Sequence, residues 1–299
     1  MDLVLHLADD YLLDKVWARL LPLNDQLGHL SYDSLSTSAN FTSITYLHQS
    51  AWPRDYIPRQ VASLSVITLM GIHCLYFLFA WLSYKFIFNH EMMRHPRFLE
   101  NQVKQEIQCS LRAFPTMTLL TLPWFQAEVM GYSKLYDNVE EYGWAYFVLS
   151  VPFFLLFTDY GIYWVHRLLH HPNIYKTIHK PHHKWLIPTP FASHAFHPVD
   201  GYLQSVPYHL FIFIFPLHRL LYLGLFVFVN FWSIFIHDSD MITGHALEKV
   251  INGPAHHTLH HLYFTVNYGQ YFTWADRVGG SYRQPESSLD PMLEVKKQS

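Results

Sequence analysis

The stretch WAYFVLSVPFFLLFTDYGIYWVHRLLHH, residues 144–171, decides the fold class. Residues 144–164 are mostly apolar and aromatic, with Asp159 their one charge, and they are long enough to cross a bilayer as one helix. The run then passes directly into His166-Arg-Leu-Leu-His170-His171. A spanning helix that ends in histidines puts metal-binding chemistry at a membrane edge.

Working outward, other apolar runs appear. Residues 61–84 are uncharged and of spanning length. Residues 111–129 form a weaker run, interrupted by Arg112, Pro115, Pro123 and Glu128. Residues 203–236 are apolar but broken at Pro216, His218 and Arg219, which reads as the apex of a helical hairpin with a short first arm. Residues 11–21 read as a short amphipathic helix stopped at Pro22, and 24–60 as loop. The expected fold class is an all-α integral membrane protein. It has four to five membrane helices, the hairpin included, and a cytosolic helical metal-binding cap. The expected organisation is an N-terminal segment over 1–60, a membrane-embedded domain carrying the histidines over 61–285, and a polar tail over 286–299.

Composition agrees with a membrane class. Charged residues are 14% of the 299, against about a quarter in soluble proteins. Net charge is −3 and no long basic run occurs, which excludes nucleic-acid binding. The two cysteines, Cys74 and Cys109, form no C-x-x-C pair, so neither a disulfide framework nor a thiolate zinc site is expected.

Orientation follows from the basic residues of short loops. Lys85, Arg94, Arg97 and Lys104 lie between the first two runs. Between the second and third stands Lys134 against Asp137, Glu140 and Glu141. The first loop is therefore expected to be cytosolic and the second lumenal. Residues 165–202 and 237–299 then fall in the cytosol and the N-terminus in the lumen. Asn40-Phe41-Thr42 is an N-glycosylation sequon on that side. Lys296-Lys297-Gln298-Ser299 matches a dilysine retrieval signal of the endoplasmic reticulum.

Histidine is the compositional outlier, with 22 residues, 16 of them between His166 and His261. Two clusters follow the first: His179-Lys-Pro-His182-His183 and His256-His257-Thr-Leu-His260-His261. Spacings of three and four stack imidazoles on one helix face. Many neutral imidazoles without cysteine suit a pair of first-row metals such as iron. A single tetrahedral zinc needs about four ligands. His194, His197 and His237 stand between the clusters as further candidates, and His171 and His256 are ambiguous beside their neighbours. Asp159, seven residues before His166, is expected to hold an imidazole tautomer.

These strings resemble the fatty-acid-hydroxylase superfamily and, within it, the sterol C5-desaturases. The resemblance runs through Thr158-Asp159, Tyr163-Trp164-Val-His166-Arg167 and His179-Lys-Pro-His182-His183. It continues in the string Pro188–Gly201, His256-His257-Thr-Leu-His260-His261 and the string Asn267–Thr273. It covers residues 55–285. The histidine spacing is common to the superfamily, while the 188–201 and 267–273 strings narrow it to the C5-desaturase branch. The resemblance implies two non-haem irons, O2, and electrons from NADH or NADPH through cytochrome b5 and its reductase. It implies a Δ7-sterol converted to a 5,7-diene in the endoplasmic-reticulum membrane. It implies metal binding by His166, His170, His179, His182, His183, His257, His260 and His261. His194, His197, His237 and His256 follow as secondary ligands. Two departures stand out. Residues 1–55 fall outside the pattern, and Met241 stands where the wider group has a second histidine four residues after His237.

A sterol lies with its rings just below the headgroups, beside a membrane-edge metal site. Tyr160, Tyr163, Trp164, Trp185, Phe191 and Phe196 are candidates to line its slot. Arg167, Lys176, Lys180 and Lys184 are candidates for docking the acidic cytochrome b5. The competing readings are another di-iron lipid oxidase (a sterol C4-methyl oxidase or a fatty-acid hydroxylase), a metal transporter with histidine-rich loops, and an inactive membrane scaffold.

Overall fold

Apolar runs that must satisfy their own backbone inside a bilayer become helices, and helices dominate here. The structure is a computed structural model in which residues 1–23 and 49–297 are described. The sequon at Asn40 and the last two residues of the dilysine motif lie outside the described residues.

The helices are α1 (Asp2–Ala8), α2 (Asp14–Leu20), α3 (Ile57–Phe86), α4 (Gln102–Val129), α5 (Gly143–Leu169), α6 (Pro172–Ile178) and α7 (Pro198–Ile214). They continue with α8 (Arg219–Phe235), α9 (Pro254–Tyr263), α10 (Trp274–Gly279) and α11 (Met292–Lys296). Among the described residues two helices, α3 and α5, are long and apolar enough to cross a membrane. The run at 111–129 lies inside α4, which has the length but carries Lys104, Glu106, Arg112 and Glu128. α8 is apolar but shorter; its 17 residues reach about 25 Å.

The chain divides into two compact units. One comprises residues 1–68 and 122–132. In it α1, a π turn over Asp9–Leu13, and α2 follow one another without a break, so helix begins at Asp2 rather than at residue 11. Charge pairing, buried at Arg59 and Asp9 and partly exposed at Arg54 and Asp14, fixes this stretch. The Arg59 guanidinium donates to Asp9 (2.7 Å) and to Asp14, and Arg54 clasps Asp14. Trp17 stacks on Trp52 at 5.4 Å and its Nε1 donates to Ser63 Oγ (3.0 Å).

The other unit comprises residues 69–121 and 133–299. Here α5 packs along α7. The contact is close because Gly161 has no side chain: a Cβ there would lie 2.8 Å from Pro207. Phe154, Ile162, Phe211, Ile212, Leu217 and Tyr222 form the core around this crossing. A second apolar cluster joins Tyr76, Phe114, Phe191 and Ile234.

The expected hairpin is formed by α7 and α8, and its turn is tied to the loop after α4. Leu135 and Tyr136 pair in parallel with Leu217 and His218. Arg219 clasps the Asp137 carboxylate at 2.7 and 2.9 Å. The segment after residue 285, expected as a polar tail, is docked over α11. Val295 is buried, and Arg97 donates to Glu294 at 2.6 Å.

Candidate metal centre

Four elements bring the histidines together. α5 carries His166 in its last turn and stops at His170, its C-cap. α6 ends on His179, also a C-cap, and a 3-10 turn over His182–Lys184 follows. α8 ends at Phe235, two residues before His237. α9 starts at Pro254, whose fixed φ suits a first helical position, and presents His257, His260 and His261.

Nine imidazoles converge in two groups. The first holds His166, His170, His179, His183 and His260, and the second His182, His237, His257 and His261. In each group the ligating atoms lie within 4.8 Å of one another. All are buried except half-buried His170.

The nitrogens that face inward are Nε2. In the first group the Nε2 atoms of His166 and His179 are 3.1 Å apart, and His183 Nε2 stands 3.1 Å from those of His170, His179 and His260. In the second group the separations are 3.3 Å (His182–His237), 2.9 Å (His237–His257) and 3.1 Å (His257–His261).

The outward nitrogens decide what these contacts are. His166 Nδ1–H donates to the Tyr268 carbonyl (3.0 Å), His260 to Val266 (2.7 Å), His261 to Trp185 (2.9 Å) and His237 to Ser233 (2.6 Å). His179 Nδ1–H donates to Asp200 Oδ2 (2.7 Å), itself fully buried. A neutral imidazole has one proton. In these five rings the acceptors claim it at Nδ1, so Nε2 of each, when neutral, is a bare lone pair. Two bare lone pairs 3.1 Å apart, as in His166 and His179, repel unless a cation lies between them. The donor set therefore fits metal ions.

The spacing also bears on coordination. Metal–imidazole bonds of about 2.1 Å subtending right angles separate neighbouring nitrogens by about 3.0 Å, and tetrahedral angles by about 3.4 Å. The nearest Nε2 separations, 2.9–3.3 Å, are those of imidazoles that can share one ion.

Burial, reinforced by neighbouring imidazoles, holds His170, His182, His183, His257, His260 and His261 below the ordinary 6.5. His237 is pulled down to about 3, first by burial. These folded values lie below the unfolded ones, so the unfolded chain takes up protons first on acidification. Stability is complete above 6.5 and declines as pH falls through it. The metal-stripped protein in detergent is expected to melt at one temperature between about pH 7 and 8 and markedly lower at pH 5. Metal loading should raise the neutral-pH melting temperature and lose that effect on acidification. A flat melting temperature from pH 7 to 5 would contradict buried neutral imidazoles.

The remaining candidates do other things. His171 and His197 cap α6 and α7, their Nδ1 atoms accepting from Asn173 N (3.4 Å) and Val199 N (3.2 Å). His194 bonds Ser193 Oγ (3.0 Å) and Asn230 Oδ1 (3.3 Å). His256 lies against Tyr282, with ring centroids 5.8 Å apart. Met241 packs on Ala255 and Leu259. Asp159 was expected beside an imidazole. Its Oδ1 instead accepts three backbone N–H groups, from Gln270, Tyr271 and Phe272, at 3.0, 2.7 and 3.2 Å. Asp276 holds Tyr268 N and Gly269 N at 2.8 Å each. The two carboxylates fix the 267–273 loop, whose Tyr268 carbonyl orients His166.

Among the aromatic candidates, Tyr163 is buried against Tyr268 and Ala275, Phe191 lies in the cluster around Tyr76, and Trp164 is exposed. Tyr160 stacks on Trp274 at 5.4 Å. Phe196 and Trp185 wall an open cleft of about 390 Å³, together with Cys109, Arg112 and Lys184. The Phe196 ring is 6.0 Å from that of His182. It takes that seat because Gly201 has no side chain: a methyl there would overlap the ring. Of the basic candidates, Arg167 donates to the Gly279 carbonyl (2.8 Å) and Lys184 to Gln105 Oε1 (2.7 Å).

The fatty acid hydroxylase family model matches residues 151–281, which include all nine imidazoles. The chain is 53% identical to a Delta(7)-sterol 5(6)-desaturase of Gibberella zeae, over 99% of this chain and 93% of that protein. It is 52% identical to the lathosterol oxidase of Mus musculus, over 85% and 86% of the two chains. With the human lathosterol oxidase the identity is 53%, over 81% and 82%. The first alignment extends through nearly the whole N-terminal segment that matched no family string. No solved structure matches the chain significantly. The chain belongs to the fatty acid hydroxylase family, among the Delta(7)-sterol 5(6)-desaturases and lathosterol oxidases.

Proposed function

We propose that this oxidoreductase is a sterol C5-desaturase of the endoplasmic-reticulum membrane, working with O2 and with electrons from cytochrome b5 and its reductase. The observation that carries the reading is the set of nine inward-facing imidazoles in a chain about half identical to Delta(7)-sterol 5(6)-desaturases over nearly its full length. His166, His170, His179, His183 and His260 would hold one iron, and His182, His237, His257 and His261 the other. When bound, the iron pair supplies activation of O2 for attack on unreactive C–H bonds.

The overall balance is definite. The sterol gives up one hydrogen from each of two adjacent carbons, and the alkene forms between them. O2 becomes two waters, which takes four electrons and four protons. The sterol supplies two of each, so two electrons and two protons come from outside. The chain's own part is to keep the rings neutral, aim their Nε2 atoms and exclude water around them. Product choice depends on how the sterol is held, since near-attack geometry decides which hydrogen is lost.

The same reading places four to five helices in the membrane, with the histidine groups and the C-terminal segment in the cytosol and residues 61–285 as the oxidase domain. The pairing of Leu135–Tyr136 with Leu217–His218 supports it, because it sets the hairpin apex beside the loop expected to be lumenal. Expression in cells lacking C5-desaturase tests the function. Conjugated 5,7-diene absorbance should appear in the sterol fraction. An oxygenated sterol without diene would point to a hydroxylase or a methyl oxidase.

A further inference from the structure

α8 carries one carboxamide in an apolar run. Between Arg219 and Ser233 the only amide side chain is Asn230. Polar groups on membrane helices are costly and usually functional. Asn230 Nδ2 donates to the Phe226 carbonyl (2.8 Å), one turn back on its own helix, and Oδ1 accepts from His194 Nε2 (3.3 Å). A carboxamide offers two N–H groups and two acceptor positions, so these two bonds use half of its capacity. Asn230 is half-buried, whereas Val229 and Ile234 beside it are buried.

The partner belongs to the wall of the metal centre. His194 is buried among rings: its centroid lies 5.5 Å from that of Tyr76 and 6.0 Å from those of Phe114 and Phe196. The same Phe196 ring is 6.0 Å from His182. Asn230 lies in the penultimate turn of α8, and His237 follows just beyond the C-cap Ile236, its Nδ1 bonded back to the Ser233 carbonyl (2.6 Å). A donor and an acceptor thus sit in an apolar wall, at the edge of the four-imidazole group.

The ligand chemistry that fits is a single hydroxyl on a rigid hydrocarbon, because a hydroxyl donates and accepts at once. In a Δ7-sterol one carbon separates the hydroxyl-bearing C3 from C5. A group that grips the 3-hydroxyl must therefore stand close to the reacting hydrogens. We propose that Asn230, positioned by His194, hydrogen-bonds the sterol 3-hydroxyl and so fixes which ring carbons face the metal centre. The inference rests on the sterol-desaturase reading above.

The test uses the full-length protein in microsomes, supplied with a 3β-hydroxy Δ7-sterol and with its 3-deoxy counterpart. The wild type should prefer the hydroxy sterol by about 100-fold or more in kcat/KM, since a site built to bind a hydroxyl rejects the analogue lacking it. In Asn230→Leu that preference should collapse toward unity, chiefly through a raised KM for the hydroxy sterol. Asn230→Ser should recover part of it. His194→Ala should lower the same ratio with iron content unchanged, and His194→Gln should restore part of it. Equal wild-type turnover of the two sterols would overturn the proposal. So would an Asn230→Leu variant slowed equally on both. A wild type that forms no diene from either sterol would instead defeat the desaturase reading, and this inference with it.

Discussion

His183→Ala is expected to abolish diene formation, whereas His171→Ala leaves it intact. The two residues look alike in sequence, each in a His-His pair of a histidine cluster. They differ in where the ring points. His183 is buried, and its Nε2 lies 3.1 Å from three other Nε2 atoms, those of His170, His179 and His260. Its removal takes from the five-imidazole group the ring nearest three of the others, so the ion there loses its shared neighbour and is held more weakly. Iron content should fall together with activity. His171 is exposed, and its contribution is one N-cap bond to Asn173. Losing a cap costs about 1 kcal/mol at most here, because the bond is long. Sterol profiles and iron per chain, measured on both variants, check the contrast. Diene formation by His183→Ala would remove this residue from the metal centre.

That contrast marks the limit of what the residues alone disclose. Spacings of three and four place His257, His260 and His261 on one face of α9, and the chain folds them so. The choice between His170 and His171 depends on where α5 stops, and helix ends are set by local capping rather than by periodicity. A signal was present nonetheless. His171-Pro172 and His197-Pro198 both put proline at the first helical position, which leaves the preceding side chain to cap. His237 joins from a loop 19 residues before His256, which only the tertiary fold can decide. The carbonyls of Tyr268, Val266, Trp185 and Ser233 that fix the tautomers are backbone atoms, so their side chains announce nothing. Asp159 illustrates the opposite error. Helical periodicity put it on the His166 face, but in the fold three N–H groups of the 267–273 loop take its oxygen first.

The carboxylate that does meet an imidazole is Asp200, and Asp200→Asn is expected to lower activity through the metal rather than through the fold. Asp200 is fully buried in the first turn of α7, where the helix dipole favours a negative charge. Both of its oxygens accept: Oδ2 from His179 Nδ1 (2.7 Å) and Oδ1 from Gln204 Nε2 (2.7 Å). An amide has one oxygen. If it turns that oxygen to His179, its NH2 meets the Gln204 donor; the reverse orientation sets a donor against His179 Nδ1–H. The second arrangement invites His179 to move its proton to Nε2, where it would block the inward lone pair. Loss of such a partner costs about 10- to 100-fold in metal affinity or activity. The deficit should be partly recovered by excess iron(II), because the five imidazoles are still present. Asp200→Ala should lose more, having no acceptor at all. Titrating iron into stripped protein and following diene formation separates the two roles open to Asp200. A variant with wild-type iron affinity but a lowered melting temperature would make Asp200 a helix-stabilising residue only. A right-shifted iron titration with an unchanged melting temperature would make it the residue that holds the His179 tautomer.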